Sequence, residues 1–135
     1  MVIAAAPLSV KVLLEPIVKS LVETYSVVIM TNLSHKNHNF LEFLPKAVKL
    51  VDTRMQRKIN ILSDLRTLGL LLKFFHKRNV DLVLSVSPKA GLLGSVAARL
   101  MRVPSIVHIF TGQVWLTKKR PLKNLLMFLD KITYS

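Results

Sequence analysis

Cysteine is absent from the 135 residues. That excludes disulfides, thiolate metal sites and a cysteine nucleophile. Acidic residues are few, seven against 20 Lys and Arg. No carboxylate pair stands out for acid–base work, and Asp64, Asp81 and Asp130 read as structural. With only four glycines, the chain has no G-x-G-x-x-G after its first strand and no Walker lysine motif. Aromatic residues make up 7%. No stacking platform for bases is visible, so a basic nucleic-acid-binding module is the least favoured alternative and no specific nucleic-acid partner is expected. His35 and His38 stand three apart without an acidic or Cys partner, so no metal is expected. No apolar run reaches the ~18 residues of a membrane span. The nearest, residues 68–75, is broken by Lys73. The chain opens without the basic region of a signal peptide.

Hydrophobic residues supply 51% of the chain, and the mean hydropathy is +0.43. That composition excludes disorder and is high for a free-standing soluble domain. Part of the apolar surface is expected to meet a neighbouring domain or a membrane. The length suits one domain. Both ends read as cut, since Met1–Ala6 is a strand with nothing before it and Ile132–Ser135 begins another element. The expectation is a piece of a longer protein. The net charge of +13 is uneven. Residues 1–70 hold nine Lys/Arg against five Asp/Glu, and residues 71–135 hold eleven against two. Such a surface attracts phosphate or anionic head groups.

Periodicity organises the chain. Met1–Ala6 is a short apolar strand ending at Pro7. Val10, Leu13, Leu14, Ile17, Val18, Leu21 and Val22 recur at helical spacing, with Ser9 placed to cap that helix. Pro16 interrupts it and is tolerable only in the first turn or at a kink. Residues 26–31 and 47–53 read as strands. The longest helix covers 60–79, capped by Ser63 or Asn60, with Leu65, Leu68, Leu71, Leu72 and Phe75 as its apolar stripe. Residues 80–86 form a strand apolar enough to be buried on both faces. Helix 88–101, strand 105–110 and helix 122–132 complete the order. The alternation predicts an α/β fold, a doubly wound parallel sheet with helices on both faces.

In such sheets ligands sit beyond the carboxyl ends of the strands, where the strand order reverses. Three turns fall on that edge: residues 7–9, 87–91 and 111–115. In "SPKAG", Ser87 occupies an N-cap position and Pro88 the first helical position. The free amides of the first turn favour an anion, and Lys89 adds a charge beside them. Gly91, Gly94, Ala97 and Ala98 lie on one helical side and let the backbone approach the sheet or a ligand. In "TGQVW", Gly112 permits a tight turn, and Thr111 and Gln113 offer groups suited to sugar hydroxyls. Trp115 offers a flat face for a ring or lipid. Lys118, Lys119 and Arg120 follow and suit a diphosphate or an anionic membrane. His108 alternates inside a strand and reads as a hydrogen-bonded core histidine.

The "PKAGLLG" helix start and the "FTGQVW…KK" turn together resemble the N-terminal lobe of bacterial GT-B-fold, family 4-like glycosyltransferases. These enzymes build capsule, O-antigen and related surface glycans. The likeness is sharpest over residues 80–131. It implies that residues 1–135 are one Rossmann-like acceptor lobe, with the donor-binding C-terminal lobe outside this sequence. It further implies a retaining, metal-independent transfer from a nucleotide-sugar, a co-substrate held mainly by the other lobe, with no cofactor. The acceptor would be a glycan carried on polyprenyl diphosphate. The location would be cytoplasmic, peripheral at the anionic inner-membrane face. By this likeness Ser9, Ser87, Lys89, Gly91, Thr111, Gly112, Gln113 and Trp115 would bind substrate. Many relatives carry a His in the turn after the fifth strand, where this sequence has Thr111, so no catalytic base is assigned. The alternative is a non-catalytic lobe or remnant that needs a separate donor-binding chain, with activity absent from the lobe alone.

Overall fold

The computed structural model describes residues 1–34, 42–56, 60–111 and 120–134. Five parallel strands form one sheet: β1 (Val2–Ala4), β2 (Val28–Thr31), β3 (Lys49–Asp52), β4 (Leu82–Val86) and β5 (Ser105–Ile109), in the order β3-β2-β1-β4-β5. The helices are α1 (Pro7–Ser9), a π-helical segment (Val10–Leu14), α2 (Glu15–Thr24), α3 (Ile61–Lys77), α4 (Pro88–Leu100) and α5 (Leu122–Tyr134). The α/β, Rossmann-like architecture expected from the alternation is the one observed.

The sheet separates two cores. Ile3, Met30 and Val83 point to one face and pack with Leu71 and Phe75 of α3 and with Ala90, Leu93 and Ala97 of α4. Val2, Ile29, Leu84 and Val86 point to the other and pack with Val10, Leu14 and Val18. This is the period-2 alternation of a strand read against the 3.6 period of a helix. β4 is buried along almost its whole length, as its apolar sequence predicts. β5 is mixed, with Val107 44% exposed, because it pairs with β4 on one side only among the described residues.

Two helix starts differ from expectation. Ser9 is not a cap. The helix begins at Pro7, whose fixed φ suits a first helical position, so Ser9 lies inside the first turn and Ala6 precedes it. α1, the π segment and α2 run on with helical backbone throughout. The wider π turn comes directly before Pro16, which has no N–H to give an i→i−4 bond. The second difference is at Ser87, described below. α3 begins as predicted, with Asn60 Oδ1 accepting from the Ser63 amide at 3.2 Å. At the far end of the fold, the Arg99 guanidinium donates to the carbonyl oxygens of Ile132 and Thr133, joining α4 to the last turn of α5.

Candidate functional site

The strand order reverses between β1 and β4. From β1 the sheet continues through β2 to β3, and from β4 it continues to β5. Ala4 and Val86 pair in register, so the chain leaves the sheet at Ala5 and Ser87 side by side. That crevice is where a doubly wound sheet receives a ligand. A cavity of about 330 Å³, lined by Val2, Tyr25, Phe74 and Asp81 among others, lies at the opposite, amino edge. It is remote from the crevice, and none of Ser9, Ser87, Lys89 and Gly91 lines it.

Ser87 is the unusual residue of the crevice. Its backbone has φ 82° and ψ 146°, a region that is essentially reserved for glycine. β4 is buried up to Val86, and the chain turns into α4 within one residue. In that conformation the hydroxyl does not cap α4, contrary to expectation. Its Oγ is buried and has no hydrogen-bond partner among the described residues. A buried, unsatisfied hydroxyl costs about 1–3 kcal/mol. Strain and an orphan hydroxyl therefore coincide at the switch point. Pro88 does occupy the first helical position, and the Gly91 amide donates to the Ser87 carbonyl oxygen at 2.8 Å.

Lys89 does not stand alone beside those amides. Its Nζ donates to Asp64 Oδ1 at 2.8 Å, with the two side chains only 12% and 19% exposed. Asp64 also accepts from the Asn60 amide through Oδ2 at 3.3 Å. The carboxylate thus ties the first turn of α3 to the first turn of α4. The expectation that Lys89 lends its charge to an anion has to be read with Asp64 in place.

Gly91 packs against the sheet. A Cβ there would lie 2.3 Å from Cε1 of His108, so the imidazole occupies the space that a side chain would need. His108 Nδ1 lies 2.9 Å from Ser85 Oγ, as a hydrogen-bonded strand histidine should. The other ring nitrogen, Nε2, is buried without a partner among the described residues. The ring meets Phe110 edge-on at 4.4 Å between centroids. Burial pushes the His108 pKa below 6.5, outweighing a Ser85 hydrogen bond and the charge of Asp130. Gly94 is similarly close to β1, with Ile3 Cδ1 3.0 Å from where a Cβ would be. The small-residue side of α4 therefore faces the sheet.

Thr111 is exposed just beyond β5, and Arg120 is exposed ahead of α5. Gly112, Gln113, Trp115, Lys118 and Lys119 lie outside the described residues, as do His35 and His38. The structure thus brings Ser9, Ser87, Lys89, Gly91 and Thr111 to the carboxyl edge, with Ser87 at the switch point carrying a buried hydroxyl that has no partner among the described residues. Sequence reasoning missed the Asp64–Lys89 tie and the fit of Gly91 to His108. Partners 25 and 17 positions apart leave no periodic signal. Among the described residues no three His, Asp or Glu side chains gather as a metal site, and no helix is long and apolar enough to cross a membrane.

No family model matches the chain. Over 64 residues it is 39% identical to a UDP-Gal:α-D-GlcNAc-diphosphoundecaprenol α-1,3-galactosyltransferase of Escherichia coli, a stretch that is 47% of this chain and 16% of that protein. Over 58 residues it is 38% identical to the capsular polysaccharide biosynthesis glycosyltransferase CapM of Staphylococcus aureus, covering 43% of this chain and 15% of that protein. The matched stretches span about a sixth of the length of these curated relatives. The resemblance read from the "PKAGLLG" and "FTGQVW" motifs is supported independently: over nearly half its length this Rossmann-like chain is similar to bacterial glycosyltransferases of surface-glycan synthesis.

Proposed function

We propose that this chain is the acceptor-binding lobe of a GT-B glycosyltransferase that extends a glycan carried on polyprenyl diphosphate. The observation that carries the reading is the coincidence of two things. The chain is similar to an enzyme whose name specifies a diphosphoundecaprenol-linked acceptor. The same chain presents a strained, orphan-hydroxyl serine at its sheet's switch point. In this reading Ser87 and the amides opening α4 hold an acceptor hydroxyl or phosphate, with Lys89 fixed by Asp64 beside them. Thr111, Gly112, Gln113 and Trp115 shape the sugar pocket. Ser9 and Gly91 serve through the backbone placement of their helices. Lys118, Lys119 and Arg120 meet diphosphate or anionic lipid at the inner membrane face.

The donor is a nucleotide-sugar held mainly by a second lobe, on the same or a separate chain. UDP-galactose is the α-anomer, and the E. coli relative is named for an α-1,3 product. Transfer with retention is the corresponding reading here. The test is transfer from UDP-sugars to synthetic GlcNAc-diphospholipid by the protein at its full encoded length. The expected product carries one added hexose in α linkage, and Lys118→Glu with Lys119→Glu lowers the rate on vesicle-borne acceptor. Absence of transfer from every UDP-sugar, with or without a candidate donor-binding chain, contradicts the reading.

A further inference from the structure

β4 and β5 run side by side to the carboxyl edge, and one polar pair links them on the face that α4 covers. Ser85 and His108 are register partners. His108 Nδ1 lies 2.9 Å from Ser85 Oγ, and that hydroxyl donates to the Val107 carbonyl oxygen at 3.4 Å. The hydroxyl is therefore left to accept from Nδ1–H, and Nε2 carries a bare lone pair. Nε2 is buried and has no partner among the described residues.

Packing alone does not call for an imidazole in this place. The slot beneath α4 exists because residue 91 has no side chain. A Cβ there would lie 2.3, 2.6 and 2.8 Å from Cε1, Nδ1 and Nε2 of the ring. An aliphatic or phenyl side chain would fill the slot without leaving a buried nitrogen unsatisfied, a condition that costs stability. What the imidazole adds is direction. The Ser85 bond fixes the rotation of the ring. That rotation decides where the ring meets α4 and where it meets Phe110, which it contacts edge-on at 4.4 Å between centroids.

The neighbours of the ring lead straight to two turns of the carboxyl edge. The Gly91 amide donates to the Ser87 carbonyl oxygen at 2.8 Å, so the ring bears on the same helical turn that holds the strained Ser87 and the paired Lys89. Phe110 is followed directly by Thr111. One side chain thus stands between the start of α4 and the end of β5 and touches both.

We infer that His108 is a positioning residue of the acceptor site: its imidazole, oriented by Ser85, holds the α4 start and the Thr111 end of β5 at a fixed separation. In this role it touches no substrate and acts through Gly91 and Phe110. The inference rests on the proposed function for the identity of the ligand that the two turns receive. The neutral ring is the working form. Protonation would place an N–H at Nε2 with no acceptor, and burial holds the His108 pKa below 6.5 against the opposing effects of Ser85 and Asp130. Ser85 of β4, Gly91 of α4 and Phe110 pack on the ring and do not titrate, and Asp130 of α5 is the described charge that bears on it.

The experiment is steady-state transfer by the protein at its full encoded length, from a UDP-sugar to GlcNAc-diphospholipid, with KM read separately for each substrate. His108→Phe keeps the size and the ring contact and loses the bond to Ser85. It should raise the acceptor KM about tenfold and leave the UDP-sugar KM unchanged. Ser85→Ala is a smaller change that guards against misfolding, and it should also raise the acceptor KM. The double variant should be no worse than His108→Phe alone, because Ser85 acts only through the ring. The acceptor KM of the parent should rise as pH falls below 6.5, and that rise should be absent from His108→Phe. Acceptor KM unchanged in both single variants overturns the inference. So do equal rises in both KM values, which would mark a general loss of structure, additive effects of the two substitutions, and an acid rise retained in His108→Phe. Absence of transfer by the parent from every UDP-sugar would sink the glycosyltransferase reading instead, and amide hydrogen exchange then decides the inference. In His108→Phe, exchange should quicken in residues 88–91 and in residues 108–111 together. Quickening in neither segment, or in one alone, overturns it.

Discussion

Helices α3 and α4 begin side by side at the carboxyl edge of the sheet, joined by Asp64 and Lys89, and they begin by opposite rules. α3 opens on Asn60 with an extended backbone and a side chain that accepts from the Ser63 amide. Its start is satisfied locally and stabilises the fold. α4 opens on Ser87 with a positive φ and a buried hydroxyl that neither caps the helix nor meets any described residue. Its start costs stability. The stable one carries the exposed side chains of Ile61 and Leu62, and the strained one stands at the switch point. Backbone strain and orphan polar groups persist where surrounding packing over-determines them, and they concentrate at binding sites. The difference between neighbouring starts therefore separates one that is satisfied locally from one that is strained at the switch point.

The comparison can be broken most severely at Gly91. A methyl group there would strike the His108 ring, which would have to leave Ser85. Gly91→Ala should cost about 2–3 kcal/mol in denaturant unfolding. A cost below that of an ordinary surface change would mean that His108 moves freely and that α4 is not locked to β5. The comparison is sharpened by the milder change at the other start. Asn60→Ala removes the cap of α3 and should cost about 1 kcal/mol. It should leave acceptor binding unchanged, because Asn60 serves the helix and lines no part of the crevice. Lowered acceptor affinity in that variant would make the α3 start part of the site.

The order of elements was legible because apolar residues recur at strand spacing and then at helical spacing, as in residues 82–86 followed by α4. The caps were legible only where convention is obeyed, at Asn60. Ser9 misled because Pro7 had already opened the helix two residues earlier. Ser87 was correctly placed at the boundary, but its φ depends on how abruptly β4 must turn into α4, which no local pattern encodes. Lys89 advertised a charge, and Asp64 read as structural, yet their union is a property of packing between two helices. Gly91 suggested a close approach, and only the fold shows that the approaching group is an imidazole.

The most direct measurement concerns Ser87 itself. Ser87→Gly removes strain and an unsatisfied hydroxyl together. If the α4 start is built to receive acceptor, the variant should unfold with about 1 kcal/mol more stability and bind GlcNAc-diphospholipid more weakly than the parent. Equal or tighter acceptor binding in a stabilised variant would contradict the account, because the strain at the switch point would then serve no ligand.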